Sequence, residues 1–309
     1  MENLQNESNS QILFGLAVEP EIIFSNHKNV FKPGIKKRQT ALAKKITFLE
    51  KFLQKDEKIF CITTGCTPMT LLEQWLMGLW IFYIKRCLLV FTNKRILHIP
   101  TKTNYSYRNS ISQILYADCQ SISLKGRTLV VNYANKRKEK FYYTAGSENK
   151  KIKAFLGTVS YDNPQNASMQ TRIHLCPRCT GQLINNEYIC QGCGLEFKNK
   201  SESFRISVIF PGGGYFYTGH ILLGIADALV ETLLTISVIL SLIDALKGVD
   251  DAFISTITLA IILALEKAIT VHDSNKFIDE YIPLKNQPDV EMKKLRPDPT
   301  KMLRVSDTE

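Results

Sequence analysis

The chain has 309 residues, of which 45% are hydrophobic and 22% charged, and its formal net charge is +10. This hydrophobic fraction is that of a globular protein and excludes a chain disordered throughout, while the length suggests two or three structural units. The basic excess favours an anionic partner, either nucleic acid or a phospholipid surface. Because the opening residues "MENLQNESNSQ" are polar and carry no secretory signal, we expect the soluble part of the chain in the cytosol.

An amphipathic basic helix is predicted within the N-terminal segment 1–57. Leu42, Ile46, Leu49 and Leu53 recur at helical spacing, and lysines lie on the other side. We favour a helix that packs on the following domain. A helix lying on an anionic membrane is the alternative.

Short segments of β type fill residues 58–160. Each is rich in Ile, Val, Leu, Tyr or Phe, and polar turn residues separate several of them. A helical pattern follows in "SENKKIKAFLGTV", for which Ser147 is a plausible N-cap. We therefore predict a small barrel-like sheet closed by a terminal helix, in a chain of the α+β class. The strand segments are KIFCITTG, CLLVFT, RILHIP, SQILYADC, SISLKG, RTLVVNYA and KEKFYYT.

Two stretches of this region resemble bacterial pleckstrin-homology-like (PH-like) domains. "VFTNKRILHIP" is similar to the strand–turn–strand of those domains, where a Thr-x-x-Arg turn joins two early strands. "YSYRNSISQILYADCQSI" is similar to their later segment, in which an aromatic-basic turn leads into the next strand. The resemblance covers residues 58–160 and implies a module that contacts lipid headgroups or another protein.

Basic residues at the predicted turns of this domain are candidate contacts to anionic headgroups. The alternative is that they form an ordinary solvated face. They are Lys94, Arg95, Lys125, Arg127, Lys136 and Arg137.

The apolar stretch "LLEQWLMGLWIFYI" (71–84) lies between the first two strand segments. It has one charge in 14 residues and is too short to cross a bilayer unaided. A core helix, a membrane anchor at the surface and an extended strand all remain open. We favour a buried or membrane-contacting insertion.

Two Cys-x-x-Cys pairs indicate a metal site of the zinc-ribbon type over residues 173–198. The pairs are Cys176 with Cys179 and Cys190 with Cys193, and each can bend two thiolates toward one ion. Four sulfurs complete a tetrahedral Zn²⁺ shell, with iron as the minor alternative, and leave no open position for a substrate. The predicted role is therefore structural. Metal binding worth roughly 10–16 kcal/mol can fold a segment too small to fold alone.

Residues next to the two Cys-x-x-Cys pairs, and the other four cysteines, are not predicted to bind metal. Gly194 suits the left-handed conformation that follows the second knuckle. His174 is interpreted as a bystander because the four sulfurs already complete the shell. The remaining cysteines are expected to be free thiols in a reducing compartment. They are Cys61, Cys66, Cys87 and Cys119.

A Pro-Gly-x-Gly-x-x-Tyr-x-Gly motif lies near the start of the apolar region 204–271. It is similar to the motif of a family of small two-span membrane proteins, where it joins an interfacial segment to a membrane helix. Glycine permits a sharp turn and close backbone approach, and Tyr215 and Phe216 suit the headgroup level, as does the tyrosine of the motif. The motif residues are Pro211, Gly212, Gly214, Tyr217 and Gly219.

Two segments of this region are predicted to form a transmembrane hairpin. Residues 221–243 are long enough to cross a bilayer, and residues 252–271 offer a partner helix. Basic residues flank the region on both sides, while the connecting turn is acidic, so the positive-inside rule places both termini in the cytoplasm. A soluble helical hairpin buried against protein is the alternative.

Asp227 and Glu231 lie inside the first of these segments, four residues apart and therefore on one helix face. Intramembrane acids are functional candidates, and these two could bind a cation or a proton within a homo-oligomer. The alternative is a hydrated helix interface where they face polar groups. Lys267 in the second segment is expected to snorkel toward the interface.

The function predicted from these features is that of a membrane-anchored, cytosol-facing binding or adaptor protein without catalysis. The sequence has no glycine-rich phosphate loop, His-Glu-x-x-His or Gly-x-Ser-x-Gly motif. A phospholipid membrane and an unidentified protein are the expected partners. The alternatives are a small channel or transport component that uses the intramembrane acids, and a zinc-ribbon protein that binds nucleic acid. The second alternative is not favoured, because the ribbon itself is not rich in lysine.

Two polar segments are predicted to lack regular structure. Residues 161–172 contain Pro, Asn and Ser and are predicted to be a linker. Residues 284–309 have few apolar side chains and are predicted to be a disordered tail.

Overall fold

The computed structural model describes residues 11–70, 73–74, 78–161 and 171–284. It is of the α+β class, with a large sheet, a smaller second sheet and two long apolar helices near the C-terminus. Residues 71–72 and 75–77 of the predicted insertion lie outside the described residues. So do residues 162–170 of the predicted linker and residues 285–309 of the predicted tail.

Each predicted strand segment contains a strand, and three further strands join them. Within the described residues the large sheet has the order β1-β2-β3-β4-β5-β6-β10, and the small sheet has the order β7-β8-β9. Neighbours pair antiparallel, except that β2 runs parallel to β3. The strands are β1 Gln11–Leu13, β2 Leu16–Val18, β3 Ile59–Cys66, β4 Arg86–Thr92, β5 Arg95–Pro100, β6 Ile111–Leu115, β7 Cys119–Lys125, β8 Thr128–Tyr133, β9 Lys138–Phe141 and β10 Ile173–Leu175.

The helices flank the sheets and then form the C-terminal region. Pro33 occupies the first turn of α2, where its missing N–H costs nothing. Asn199 caps α5 by accepting the amide of Glu202 at 2.7 Å. Among the described residues, the α-helices with both ends described are α1 Pro20–Ile23, α2 Pro33–Ala43, α3 Ile81–Ile84, α4 Asn149–Leu156, α5 Lys200–Ile209, α6 Gly213–Thr218, α7 Ile221–Leu246 and α8 Ala252–Ile278.

The large sheet is buried on both faces, as the alternation along β4 illustrates. Leu88 and Val90 pack on the N-terminal helices, whereas Leu89 and Phe91 face the small sheet and α4. The two sheets meet where the backbone of Cys66 exchanges hydrogen bonds of 2.8 and 3.1 Å with Tyr142. The core therefore lies in two layers, one on each side of the large sheet.

The predicted N-terminal helix is shorter and lies earlier in the chain than its periodicity indicated. Helix α2 ends at Ala43, and a 3₁₀ turn covers Thr47–Lys51. Leu42, Ile46 and Leu49 are all buried in the core on one face of the sheet. The segment thus packs on the sheet, as favoured above, and these apolar side chains are not available to a membrane.

The large sheet extends beyond the predicted boundaries 58–160, because β1, β2 and β10 lie outside them. Strand β10 covers the outer edge of β6 with an antiparallel register. On β3, the side-chain amide of Gln39 exchanges two hydrogen bonds of 2.9 Å with the backbone of Ile62. These additions satisfy edge groups that would otherwise be open to pairing with another chain.

Candidate metal centre and polar cluster of the apolar hairpin

The two Cys-x-x-Cys pairs form a pair of similar knuckles. In each knuckle, the amide of the first cysteine donates to the carbonyl five residues later, Cys176 to Gly181 and Cys190 to Leu195, both at 2.8 Å. Gly194 has φ +69°, which confirms the left-handed conformation predicted for it. These local hydrogen bonds turn the cysteine side chains toward a common point.

The four sulfur atoms lie at distances that suit one metal ion. The Sγ atoms of Cys176 and Cys193 are 3.5 Å apart, as are those of Cys179 and Cys190, and all four lie within 4.8 Å of one another. Tetrahedral zinc with Zn–S bonds of about 2.3 Å requires sulfur separations of about 3.8 Å. The thiol cluster therefore fits Zn²⁺, and the same sulfur set also suits iron.

Lys51 lies beside this thiol cluster, a neighbour that sequence reasoning missed. Its ammonium donates to the carbonyl of Pro177 in the first knuckle. Burial raises the pKa of the Cys176 and Cys179 thiols, and a bound cation would offset that cost by stabilising the thiolates. Four thiolates around Zn²⁺ carry a net charge of −2, which the ammonium of Lys51 would partly balance. No local pattern could reveal this contact, because Lys51 belongs to a distant segment.

The core of the ribbon includes a residue from beyond the apolar helices. After α8, the ring of Tyr281 is buried beside Phe197, with ring centroids 5.6 Å apart. Its hydroxyl donates to the carbonyl of Ile184 at 2.8 Å and accepts the amide of Asn186 at 2.9 Å. The ribbon is therefore completed by the C-terminal segment.

The same segment also binds the large sheet. The carboxylate of Glu280 accepts from Arg172 at 3.0 Å, and its backbone carbonyl accepts from Ser110 at the start of β6. Burial opposes ionisation of Glu280, but Arg172 outweighs it and lowers the pKa of this carboxyl. Sheet, ribbon and the end of α8 consequently meet at two consecutive residues, Glu280 and Tyr281.

The glycines of the motif lie where backbone segments touch. Gly212 has φ +67°, and a Cβ placed on it would lie 2.2 Å from the carbonyl oxygen of Gly224 on α7. A Cβ on Gly214 would lie 2.3 Å from the hydroxyls of both Ser207 and Ser274. Helices α5 and α6 therefore pack against the hairpin at a distance that only glycine allows.

The other motif residues end or anchor this turn. Pro211 is exposed and follows the end of α5, while Gly219 ends α6 with φ +84°. The hydroxyl of Tyr217 accepts the backbone amide of Asn199 at 3.2 Å, which links the end of α6 to the start of α5.

Tyr215 differs from its predicted headgroup position, because its side chain is buried. Its hydroxyl donates to Oδ2 of Asp273 on α8 at 3.2 Å. Phe216, by contrast, is 42% exposed. The close packing of α6 on the hairpin turns Tyr215 inward, a placement that depends on the tertiary fold and not on the motif alone.

Glu231 is fully buried, and its carboxylate is held by a lysine of α8 and by a backbone amide just before α6. Its Oε2 accepts from Nζ of Lys267 at 2.6 Å and from the amide of Gly212 at 3.1 Å. Nζ of Lys267 also donates to the carbonyl of Ser207 at 2.7 Å, near the end of α5. Lys267 therefore does not snorkel outward as predicted, because a carboxylate and helix-end carbonyls offer it closer partners.

Asp227 lies one turn before Glu231 and forms a second part of the polar cluster. Its two carboxylate oxygens accept from Oγ1 of Thr270 at 3.0 and 3.2 Å. Glu266 completes the cluster, since carboxylate oxygens of Asp227, Glu231 and Glu266 lie within 4.8 Å of one another. The antiparallel hairpin brings Glu266 opposite the two acids, a position that spacing along the chain does not reveal.

The six predicted headgroup contacts do not form one surface of free cations. Arg95 is buried, and its guanidinium holds the carboxylate of Glu57 through two hydrogen bonds of 2.8 and 2.9 Å. It is thus a core ion pair and cannot reach a membrane. Lys94 donates to the carbonyl of Lys55 at 2.6 Å, and Arg127 donates to a carbonyl of the β9–α4 connection at 2.9 Å. Lys125, Lys136 and Arg137 are exposed.

The chain matches no known family model, no curated protein and no solved structure in the three comparisons made.

The thiol cluster predicts a specific pattern of metal content. We expect the full chain, purified in detergent, to hold about one zinc ion, and Cys179→Ser to lower the metal content strongly by removing one ligand. Cys119→Ser, at a buried thiol outside the cluster, is the matched control and should leave the metal in place. Elemental analysis by mass spectrometry measures both, and equal metal content in the two variants would contradict the assignment.

The glycine packing predicts unequal costs for two alanine substitutions in one motif. Gly219→Ala should cost about 1–2 kcal/mol of stability, because the left-handed backbone strains any Cβ there while no atom lies within 4 Å. Gly212→Ala should cost about 1–3 kcal/mol more, since its Cβ also meets the backbone of α7. Thermal unfolding in detergent compares them, and equal losses would argue against the close approach.

Proposed function

We propose that the chain is a membrane-anchored, cytosol-facing binding or adaptor protein, with no catalysis of its own. One observation carries this proposal: the residues directly after the second apolar helix enter both the ribbon core and the sheet. Tyr281 packs beside Phe197, and Glu280 binds Arg172. The sheet domain and the ribbon, together called the head (residues 11–198), would then be held at a constant height and orientation above the membrane.

The dimensions and surface of the hairpin support its insertion into a bilayer. Helices α7 and α8 have 26 and 27 residues, about 40 Å each at 1.5 Å per residue, against a hydrocarbon core of about 30 Å. Their apolar side chains face outward, with Leu233 and Ile254 each 65% exposed. The buried polar groups face the interior of the helix cluster. A soluble hairpin would need protein to cover this surface.

Charge supports an orientation with both termini in the cytoplasm. Lys198, Lys200 and Arg205 precede the hairpin, and Lys276 lies in the last turn of α8. The turn between the helices carries more acids than bases. The reducing cytosol also suits four thiolate ligands.

The head would act as a docking unit on a metal-stiffened base. The four cysteines would hold zinc as a structural ion, and the sheet domain would serve as the PH-like module that its sequence resembles. An unidentified protein and the phospholipid surface are its proposed partners. The exposed turn residues Lys125, Lys136 and Arg137 would remain available to them.

The placement of the hairpin predicts which engineered cysteines a membrane-impermeant maleimide can reach. Val249→Cys lies in the turn between the two spans, where Val249 is 54% exposed, and should react in intact cells. Lys136→Cys in the head should react only after lysis, with the unmodified chain giving the background. Recovery of the chain in the supernatant after high-speed centrifugation would contradict membrane anchoring. Reaction of both sites from outside would contradict a head that faces the cytosol.

Ion handling is a second candidate function, favoured by the three facing carboxylates of Asp227, Glu231 and Glu266. It expects cation or proton flux in reconstituted liposomes that Asp227→Asn reduces several-fold. Asp244→Asn, near the far end of the same helix, is the matched control. Flux that is absent, or unchanged by Asp227→Asn, would leave the cluster with a structural role only.

A further inference from the structure

A cavity of about 400 Å³ opens between the small sheet and the end of α8. Strand β9 forms one wall, residues 68–70 and Glu73 form another, and Lys276 and Asp279 close the side next to the hairpin. Its size is within the range of about 300–1,000 Å³ that small ligands occupy. The charges on its walls decide which ligand it suits.

Glu73 is a buried acid of the cavity wall, and two lysines neutralise it. Its carboxylate lies 3.0 Å from Nζ of Lys85 and 3.2 Å from Nζ of Lys276. Burial opposes ionisation, but Lys85 and the amide of Thr70 outweigh it and lower the pKa of Glu73 to about 2. The carboxylate is therefore a fixed anion that already has its cations.

The remaining acids of the wall are also paired. Glu139 accepts from the hydroxyl of Tyr133 at 2.7 Å and lies 3.6 Å from Arg172, which also binds Glu280. Asp279 lies 2.6 Å from Nζ of Lys200.

Two lysines of the wall stand outside these pairs. Lys138 and Lys140 are both exposed, and alternate positions on β9 place their side chains on one face of the strand. Among the residues that the structure describes, no carboxylate lies within 4.0 Å of either ammonium. The surplus charge of the cavity is thus positive and lies on these two side chains.

The cavity lies where the second apolar helix leaves the hairpin. Lys276 is in the last turn of α8, and Nζ of Lys85 lies 5.1 Å above the ring of Phe277. The segment just before Lys85 exposes two large apolar side chains, Leu79 at 78% and Trp80 at 62%. Exposed tryptophan next to a span is typical of the headgroup level.

We propose that this cavity is an anion site for a phosphate group, held by Lys138 and Lys140 and presented by an anionic phospholipid at the cytosolic surface. Lysine ammonium groups act as point charges for phosphate oxygens, and two of them on one strand face can grip a single group from one side. The proposal rests on the proposed membrane function for its lipid source. A soluble ligand that carries phosphate would present the same group to the two lysines. The experiment below distinguishes the lipid from the soluble ligand.

The test measures binding by the full chain in a nonionic detergent, using thermophoresis at fixed low salt. The probes are dioctanoyl phosphatidylglycerol, dioctanoyl phosphatidylcholine and inorganic phosphate. Lys138→Ala/Lys140→Ala should weaken phosphatidylglycerol binding about thirtyfold, which corresponds to about 1 kcal/mol for each lysine near an anionic lipid surface. Lys150→Ala/Lys153→Ala removes the same charge from exposed positions of α4 outside the cavity wall and should change binding less than twofold.

The outcomes separate the cavity from the membrane anchor. Inorganic phosphate that binds with the same dependence on Lys138 and Lys140, while phosphatidylglycerol does not, supports the phosphate site with a soluble source. Equal affinity in the cavity variant and the unmodified chain overturns the proposal, as does an equal loss in the α4 variant. Unchanged zinc content and unfolding temperature show that both variants fold. If the chain is not membrane-bound but still binds phosphate through these lysines, the proposed membrane anchor is wrong and the phosphate site stands.

Discussion

The ion pair between Lys267 and Glu231 is the interaction on which the C-terminal half depends. Burying two charges costs several kcal/mol for each ion, and the attraction between them offsets that cost only when their other valences are also satisfied. Here the amide of Gly212 adds a second hydrogen bond to Oε2 of Glu231, and the carbonyl of Ser207 accepts a second one from the ammonium of Lys267. One ammonium and one carboxylate therefore join both helices of the hairpin to α5 and to the glycine motif. The glycines follow from this constraint, because a side chain at Gly212 would push the motif away from the carboxylate.

The union of head and hairpin follows from what comes directly after that cluster. Helix α8 continues from Lys267 to Ile278 without interruption, and the next residues enter the ribbon and the sheet. Glu280 and Tyr281 make the two attachments through different interactions: a partly buried ion pair binds the sheet, and aromatic packing with two hydrogen bonds binds the ribbon. Because both contacts lie within a few residues of the helix end, little flexible chain separates the two parts. The lysine-lined cavity lies at this junction, since its walls come from both.

Local features were predictable from the sequence, and long-range pairings were not. Strand segments, Cys-x-x-Cys turns and apolar helices each depend on the spacing of residues close together in the chain. The sequence pattern alone therefore predicts them. Tyr281 gave no such signal, because it lies in a polar stretch and packs on a segment far behind it in the chain. Arg95 looked like a free turn cation, although Glu57 holds it inside the core. Lys267 sat at the border of an apolar run, and only the antiparallel hairpin places it opposite Glu231.

The contribution of Tyr281 to the ribbon imposes an order on biogenesis. A ribosome makes the four cysteines first, the two long apolar helices next and the aromatic plug last. Until both helices have been made, the ribbon lacks the ring of Tyr281 that lies beside Phe197. Translation arrest or truncation ahead of residue 281 would leave the interior beside Phe197 uncovered. Completion of the ribbon core, whose cysteines are made early, therefore depends on the C-terminal segment, which is made last.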